Sequence, residues 1–167
     1  HSLSPLLHNQ IYAKEKVGAV MLAFQNANIA ELVSAIRALP IHLTAVTLPH
    51  KESIIPLLDE VDEKALAIGS VNTVINTGGK LKGYNTDVVG IAVALKDASL
   101  KGKSVLIFGA GGAARAVAFH VRECGANIFS FDRTFQKAQA LCDKFGGTAL
   151  EASALNERQF DVVVNAS

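Results

Sequence analysis

The chain has 167 residues and a formal net charge of +1, a balance that does not indicate binding to nucleic acid. Of these residues, 50% are hydrophobic and 19% are charged, which excludes a disordered tail and indicates a compact α/β or α-rich protein. Charged residues or glycines interrupt the apolar stretches before they reach the ~20 residues needed to cross a bilayer, so we expect no transmembrane helix and no membrane partner.

The cysteines and histidines lack the spacings that are typical of metal sites. Cys124 and Cys142 are not arranged as C-x-x-C, so we expect neither a disulfide nor a zinc framework, and a reducing, cytoplasmic compartment fits. His8, His42 and His120 show no metal-ligand spacing either. The sequence therefore predicts no metal site.

Proline and glycine divide the sequence into two parts. All the prolines lie in the first third, whereas every glycine except Gly18 lies from Gly69 onward. We therefore predict a first domain over residues 1–95 and a second over residues 96–167. In chain order, the first is predicted to contain a helix over 5–14 with Ser4 as its N-cap, a strand over 17–24, a helix over 29–39, a strand over 43–48, a helix over 53–58, and a hairpin of strands 71–75 and 80–84.

The second part alternates apolar strands with helices. Residues 104–108 read SVLIF, with four apolar residues in a row, which is typical of a strand buried on both faces. The pattern continues with a helix over 113–124, a strand over 127–131, a helix over 135–145 and a third strand over 161–164. This β-α-β-α-β order predicts a parallel, doubly wound sheet of the Rossmann type.

A glycine-rich turn connects the first of these strands to its helix. Residues 109–114 read GAGGAA and fit the G-x-G-x-x-A fingerprint of dinucleotide-binding proteins. The first glycine allows the tight turn, the second lets backbone amides approach a pyrophosphate, and the small Ala114 permits close packing of the helix. An ordinary turn is the alternative, but the strand before it, the helix after it and an acidic residue about 20 positions on favour nucleotide binding.

That acidic residue, Asp132, ends the second strand of this part, where a carboxylate usually binds the ribose hydroxyls of NAD. Arg133 follows it and can pair with the 2′-phosphate of NADP, while Thr134 and Lys137 can add a hydroxyl and a second charge. The two signals point to different cofactors. Arg133 as a solvated surface charge is a further alternative.

Polar residues also follow strands in the first part, where Lys51 ends one cluster and Asp87 ends another. A lysine beside a carboxylate can move a proton at an alcohol or a carbonyl. From spacing alone, a surface salt bridge or two unrelated solvated residues is favoured over a catalytic pair. Asn72 either faces solvent in the hairpin or binds a polyol ligand, and Ser4 either caps its helix only or contributes to a site.

Six short motifs, taken together and in chain order, form a pattern that is specific enough to indicate a protein family. They are HSLSP (residues 1–5), VTLPHK (46–51), GSVNT (69–73), GYNTD (83–87), GAGGAARA (109–116) and DRT (132–134). In this order they resemble the shikimate dehydrogenase family over nearly the whole chain. The resemblance implies an N-terminal α/β substrate-binding lobe, a Rossmann lobe that binds NADP, and reversible, NADPH-dependent reduction of 3-dehydroshikimate to shikimate in the cleft between them.

The resemblance also implies a role for individual residues. Lys51 and Asp87 become the catalytic pair, with Lys51 protonating the C3 carbonyl oxygen and Asp87 holding Lys51 and a substrate hydroxyl. Substrate binding is implied for Ser2, Ser4, Thr47, Lys51, Asn72 and Asp87. Cofactor binding is implied for Gly109, Ala110, Gly111, Gly112, Ala113, Asp132, Arg133, Thr134, Lys137 and Glu63.

Several alternatives stay open within this resemblance. Asp132 stands where the family commonly has Asn, which leaves an NAD-linked quinate/shikimate dehydrogenase as the close variant. A non-catalytic ligand sensor is the alternative from another class, although the retained Lys51 and Asp87 argue against it. We expect the first lobe to lack its first strand and the second to stop at its third, as in the middle of such an enzyme or of a fused dehydratase–dehydrogenase.

Overall fold

The computed structural model describes residues 2–167, in which two α/β units each surround a four-stranded sheet. His1, the first residue of the HSLSP motif, lies outside the described residues. The first unit contains α1 (Ser4–Lys14), α2 (Ile29–Ala38), β1 (Leu43–Ala45), a 3-10 turn (Ile55–Leu57), β2 (Glu60–Val61), α3 (Glu63–Ile68), β3 (Thr73–Thr77) and β4 (Lys80–Tyr84).

The first sheet has the strand order β1-β3-β4-β2, in which β2 alone runs parallel to its neighbour. The predicted hairpin is confirmed, because β3 and β4 pair directly across Gly78 and Gly79. Its first strand covers residues 73–77 rather than the predicted 71–75, so only the two glycines form the turn. Both glycines have positive φ, +60° and +89°, as a two-residue turn between antiparallel strands requires. The register brings Thr73 opposite Tyr84, so the residues before β3 and after β4 lie at the same end of the sheet.

After α4 (Asp87–Ala94), the second unit contains β5 (Ser104–Phe108), α5 (Gly112–Glu123), β6 (Asn127–Phe131), α6 (Phe135–Phe145), β7 (Thr148–Ala149), a 3-10 turn (Ala152–Leu155) and β8 (Val162–Asn165). All its strands are parallel, in the order β7-β6-β5-β8. The predicted Rossmann-type sheet is therefore confirmed. The chain reverses its direction of winding between β5 and β8, which is where ligands bind in such sheets.

The count of strands in this sheet was wrong by one. The predicted third strand is β8 and pairs with β5, whereas the two-residue β7 occupies the third place along the chain and forms the edge next to β6. Strand β7 was not predicted because it is only two residues long and follows two glycines, so the sequence has no apolar run there. The predicted boundary between domains 1–95 and 96–167 stays a prediction.

The predicted strand over residues 17–24 was also wrong, since no strand is assigned there. No neighbouring strand in the described residues pairs with it, and Val20, Leu22 and Phe24 are exposed. A strand needs a partner to satisfy its backbone groups, whatever its sequence pattern. The middle of this segment is held instead by the Asn9 side chain, which bonds both the N–H and the C=O of Met21.

Two helix predictions need smaller corrections. Ser4 is not the N-cap of α1, because Leu3 occupies that position and the hydroxyl of Ser2 accepts a hydrogen bond from Ser4 N. The helix predicted over 53–58 is only the short 3-10 turn after Ile54. Helix α4 was not predicted, and it packs against α5 with Ile91 on the core of the second unit. In the described part of the chain, no helix combines the length and apolarity needed to cross a membrane.

Cys142 offers a test of the packing of α6 in the second unit. It lies on the buried face of α6 with 3% exposure, and burial raises the pKa of its thiol from 9.0 to about 11. Cys124 is half-buried. At pH 8 we expect iodoacetamide to modify Cys124 in the native chain and Cys142 only after unfolding in urea, as read by peptide mass spectrometry.

The same raised pKa has a consequence for stability. The thiol form is favoured in the folded state, so its contribution is complete below pH 9 and is lost as the pH rises towards about 11. A Cys142→Ala variant should therefore show a weaker fall in urea midpoint over that range. Rapid labelling of Cys142 at pH 8 in the folded chain would contradict the burial on which both expectations rest.

Candidate active site

Lys51 and Asp87 come from separate loops at one end of the first sheet and meet directly. The Lys51 Nζ lies 2.7 Å from Asp87 Oδ2, and the two side chains are 16% and 29% exposed. Lys51 follows a turn that contains the cis Leu48–Pro49 peptide bond, and Asp87 is the first residue of α4. The carboxylate therefore lies at the positive end of that helix. This contact excludes the interpretation that Lys51 and Asp87 are two unrelated solvated residues.

Asn72 links this pair to the end of the sheet. Its Nδ2 donates to Asp87 Oδ1 at 2.8 Å and to Thr86 Oγ1 at 3.0 Å, and its Oδ1 accepts from Thr86 N at 2.9 Å. Asp87 thus uses one oxygen for Asn72 and the other for Lys51. The solvent-facing interpretation of Asn72 was incomplete, since its amide holds the loop that carries Asp87.

The loops are fixed from behind by buried polar contacts. Asn85 is 7% exposed, donates to Ser70 O at 2.8 Å and accepts from Asp87 N at 3.0 Å. On the other loop, Val71 N donates to Lys51 O at 2.7 Å. Both side chains of the ion pair therefore project from backbone that is itself hydrogen-bonded, which favours a single arrangement of the pair.

The glycine-rich turn begins directly after β5. Gly109 has φ +100°, and a Cβ there would lie 2.8 Å from Ala166 O, so both the conformation and the close approach to the segment after β8 require glycine. The space around a Cβ on Gly111 is open to 4 Å. Ala114 is fully buried, as the fingerprint predicts for close helix packing.

The beginning of α5 carries free amides. Its first intrahelical hydrogen bond runs from Arg115 N to Gly111 O, so the N–H groups of Gly112, Ala113 and Ala114 have no partner within the helix. Together with the positive end of a 12-residue helix and the open face at Gly111, this arrangement fits a pyrophosphate.

Gly112 brings this turn against the Lys51 loop. A Cβ on Gly112 would lie 2.6 Å from Ser70 Oγ, 3.1 Å from Lys51 Cδ and 3.5 Å from Lys51 Cβ. Ser70 is fully buried, and its hydroxyl has no hydrogen-bond partner in the described residues. The start of α5 and the stem of Lys51 are thus in van der Waals contact, which places the candidate pair beside the candidate pyrophosphate turn.

A cleft of about 440 Å³ joins these features. It lies between α4 and α5 at the end of β8, so it opens at the reversal point of the second sheet. Its lining includes Asp87, Ile91, Ala113 and Asn165. A second cavity, of about 370 Å³, is lined by residues 122, 126–129 and 145–148 and contains none of the predicted site residues.

The predicted adenosine loop follows β6, beside the glycine turn. Gly109 N donates to Phe131 O at 2.8 Å, which keeps the two strand ends together. Asp132 Oδ1 accepts from Thr134 N at 2.9 Å, so that oxygen is engaged by its own loop. Arg133 is exposed, as is Lys137 in the first turn of α6.

Other predicted site residues are not joined to the pair by hydrogen bonds among the described residues. Ser2 and Ser4 bond to each other, through Ser2 Oγ and Ser4 N. Thr47 is exposed and uses its carbonyl to accept from His50 N, and Glu63 is the exposed first residue of α3. Their roles stay predictions.

Sequence reasoning missed three residues that the structure places at this site. Thr86 completes the Asn72 network, Ser70 lies under Gly112, and Arg115 reaches the loop after Lys51 through Glu52, with Arg115 Nη2 2.8 Å from Glu52 Oε2. Each of the three lies inside one of the six motifs, Thr86 in GYNTD, Ser70 in GSVNT and Arg115 in GAGGAARA. Motif membership was the available signal, whereas the contacts themselves join residues far apart in the sequence.

Comparison with known proteins decides the family. The family profile described as the shikimate dehydrogenase substrate binding domain matches residues 1–74, and the profile of shikimate / quinate 5-dehydrogenase matches residues 92–167. The chain belongs to the shikimate dehydrogenase family. The resemblance read from the six motifs is thereby confirmed.

Individual members of the shikimate dehydrogenase family are similar over the full chain. The NADP(+) shikimate dehydrogenase of Pyrococcus furiosus is 40% identical over 171 aligned positions, which cover 100% of this chain and 62% of that protein. The crystal structure of the Aquifex aeolicus shikimate dehydrogenase superposes with a TM-score of 0.89 at 39% identity, covering 100% of this chain and 64% of the other.

A third relative, from Thermus thermophilus, was crystallised with NADP(H) and shikimate. It superposes with a TM-score of 0.85 at 37% identity, again covering 100% of this chain and 64% of the other. The chain therefore spans less than two thirds of the length of these relatives.

The contact at Gly112 predicts an unusual effect on stability. An alanine inside a helix normally stabilises relative to glycine, by about 0.5–1 kcal/mol. Gly112→Ala should instead lower the free energy of unfolding by about 1–3 kcal/mol, because its Cβ would overlap Ser70 and Lys51 in a packed contact. Urea denaturation followed by circular dichroism measures the difference.

Gly90 provides the matched control. It lies within α4 with open space around its Cβ position, so Gly90→Ala should raise stability or leave it unchanged. If both substitutions stabilise the chain, the two units do not approach each other at Gly112 as described.

Proposed function

We propose that the whole protein catalyses the reversible, NADP-dependent interconversion of 3-dehydroshikimate and shikimate. The observation that carries the proposal is the Lys51–Asp87 pair, held by Asn72 and packed against the start of α5. The relatives named above support it, since that of Pyrococcus furiosus is an NADP(+) shikimate dehydrogenase and that of Thermus thermophilus binds NADP(H) and shikimate. In this proposal residues 1–95 bind the substrate and residues 96–167 bind the cofactor.

Lys51 is proposed as the proton donor. In the direction of reduction, its ammonium group donates a proton to the carbonyl oxygen at C3 of the substrate, and the lysine is then reprotonated from solvent. The bound cofactor supplies the hydride to the carbonyl carbon. Asp87 fixes the ammonium group through Oδ2, and Asn72 prevents the carboxylate from rotating by bonding Oδ1.

Substrate specificity is proposed to come from hydrogen bonds. A small polyhydroxy acid offers a carboxylate and hydroxyl groups, and a site built to pair them rejects analogues that lack one. Asn72 and Asp87 face the same cluster as Lys51 and are proposed to bind the hydroxyls. Ser2, Ser4 and Thr47 are proposed to bind the remaining groups, above all the carboxylate.

The cofactor is proposed to lie across the glycine turn. The amides of Gly111, Gly112 and Ala113 would bind the pyrophosphate at the positive end of α5. Gly109 and Ala110 shape the turn, and Glu63, the first residue of α3, is proposed to contribute from the first unit.

The adenosine loop favours NADP over NAD. One carboxylate oxygen of Asp132 is engaged by Thr134 N, which turns it towards the loop rather than towards a ligand. Arg133 and Lys137 are exposed on the same loop and at the start of α6, where two positive charges suit a 2′-phosphate. An NAD-linked quinate/shikimate dehydrogenase is the competing function. The two functions differ in which side chain binds the adenosine ribose, Arg133 on the 2′-phosphate of NADP or Asp132 on the free hydroxyls of NAD.

The proton-donor role predicts a loss of turnover. Lys51→Met keeps the length of the side chain but removes the ammonium group, so kcat for shikimate oxidation by the whole protein should fall by about 100- to 10,000-fold. The affinity for NADP+, measured by fluorescence titration, should stay within about twofold because Lys51 is not part of the proposed cofactor site. Lys101→Met, at an exposed position, is the control with unchanged kcat. Undiminished turnover in Lys51→Met would refute the assignment.

The cofactor preference predicts a selective loss of affinity. Arg133→Ala should weaken NADP+ binding by about tenfold or more, because a charge-assisted hydrogen bond contributes ~1.5–3 kcal/mol. The affinity for NAD+, which lacks the 2′-phosphate, should be unaffected and serves as the internal control. Calorimetric titration of both cofactors measures the effect, and equal losses for the two would argue for a general role of Arg133 in folding the loop.

A further inference from the structure

A second polar contact joins the two units, away from the Lys51–Asp87 pair. Two cations of the second unit, Arg115 on α5 and Lys144 on α6, reach acceptors on the first. Arg115 Nη2 lies 2.8 Å from Glu52 Oε2, and Lys144 Nζ donates to Ile68 O at 3.1 Å. Both acceptors belong to segments that lead into the proposed site.

The end of α3 is the centre of this contact. Ile68 is its last residue, and a cation at that end satisfies a carbonyl that has no partner in the helix and interacts favourably with the helix dipole. Partial burial of the ammonium group and the nearby charge of Arg115 lower the pKa of Lys144, while Glu52 opposes that shift. The three charged groups therefore act on one another.

Gly69 makes the approach possible. It caps α3 in the left-handed conformation, with φ +72°, which an L-residue adopts only with strain. A Cβ at this position would collide with Lys144 Nζ and would lie 3.3 Å from Arg115 Nη1. The glycine thus allows both cations to reach the end of α3.

The contact is close to the site along the chain. Glu52 is the residue after Lys51, and Gly69 is three residues before Asn72. The two segments are also joined to each other, because Val71 N donates to Lys51 O at 2.7 Å. A displacement at Glu52 or at the end of α3 is therefore transmitted over at most three residues to a side chain of the pair or its network.

We propose that Glu52, Gly69, Arg115 and Lys144 form a latch that sets the position of Lys51 relative to the start of α5. Arg115 and Glu52 are then positioning residues, which act on the reaction only through Lys51. The proposal rests on the proposed function, since it names the residues that align the two halves of that site. A salt bridge with a purely structural role is the alternative, and exposed pairs of that kind contribute little to stability.

The test compares Glu52→Gln and Arg115→Met in the whole protein with Arg122→Met. Arg122 lies on the same helix, and its ion pair is with the adjacent Glu123, so it is matched in residue type and helix but does not reach the first unit. Glu52 is 48% exposed in its side chain, so Glu52→Gln removes the charge with little change in packing and remains informative if Arg115→Met folds poorly.

Two readouts are measured on each variant. The first is kcat for shikimate oxidation, which should fall by about 10- to 100-fold in Glu52→Gln and Arg115→Met, because a misplacement of about 1 Å has effects of that size. The affinities for NADP+ and for shikimate, each measured alone, should stay within about twofold. The second is amide hydrogen exchange over residues 63–72, which should accelerate in the same two variants and not in Arg122→Met.

The charge-exchanged double variant Glu52→Arg/Arg115→Glu is the rescue. Its references are the single variants Glu52→Arg and Arg115→Glu. If the latch acts through its ion pair, the double variant should have a higher kcat and slower exchange than either of them. Faster exchange with unchanged kcat would show a structural contact and overturn the positioning role. Unchanged exchange in both single variants would overturn the latch itself.

The two proposals fail differently. If the unsubstituted whole protein does not oxidise shikimate with NADP+, the proposed function is wrong. In that case the exchange measurements still decide whether Arg115 and Glu52 hold the end of α3, because that readout requires no substrate.

Discussion

The side chain of Asn72 is the interaction on which the arrangement of the site depends. Its amide donates to Thr86 and Asp87 and accepts from the backbone of Thr86, so both of its polar atoms bond the segment that carries the carboxylate. Its own backbone N–H donates to Tyr84 O, which fixes it to the end of β4. An amide suits this position because it donates and accepts at once, which neither a carboxylate nor an ammonium group does. The remaining oxygen of Asp87 is thereby left to face Lys51.

The three glycines of the turn after β5 meet three different demands. Gly109 is needed for its positive φ and for its proximity to the segment after β8, whereas Gly112 is needed because Lys51 and Ser70 occupy the space of a side chain. Gly111 alone faces open space, so its lack of a side chain serves no contact within the protein. In the proposed function this open face admits the pyrophosphate, which is the role of this position in the fingerprint.

The sequence predicted what local chemistry controls and failed where a partner was needed. The buried strands β5 and β6 were predicted with their observed bounds, because apolar runs specify them directly. The hairpin was also predicted from its positive-φ glycines, but its first strand lies two residues later than predicted. Residues 17–24 have the pattern of a strand but no partner among the described residues, and α4, rich in β-branched residues, owes its helix to packing on α5. Lys51 and Asp87 were both identified, but only the fold shows that residues 36 positions apart meet at 2.7 Å.

The polar contacts between the units matter more for orientation than for stability. No hydrogen bond between strands joins the two sheets in the described residues, so the units are held by the chain through α4, by the packing of α3 and α4 on α5, and by a few side chains. Interfaces of this kind between parts of a chain allow relative movement unless they are large and hydrophobic. The Glu52–Arg115 ion pair is partly exposed, with side chains 48% and 27% exposed, and surface pairs contribute only ~0–1 kcal/mol to folding. Its proposed effect on turnover is larger than its effect on stability, because the same contact limits how far Lys51 can move away from the start of α5.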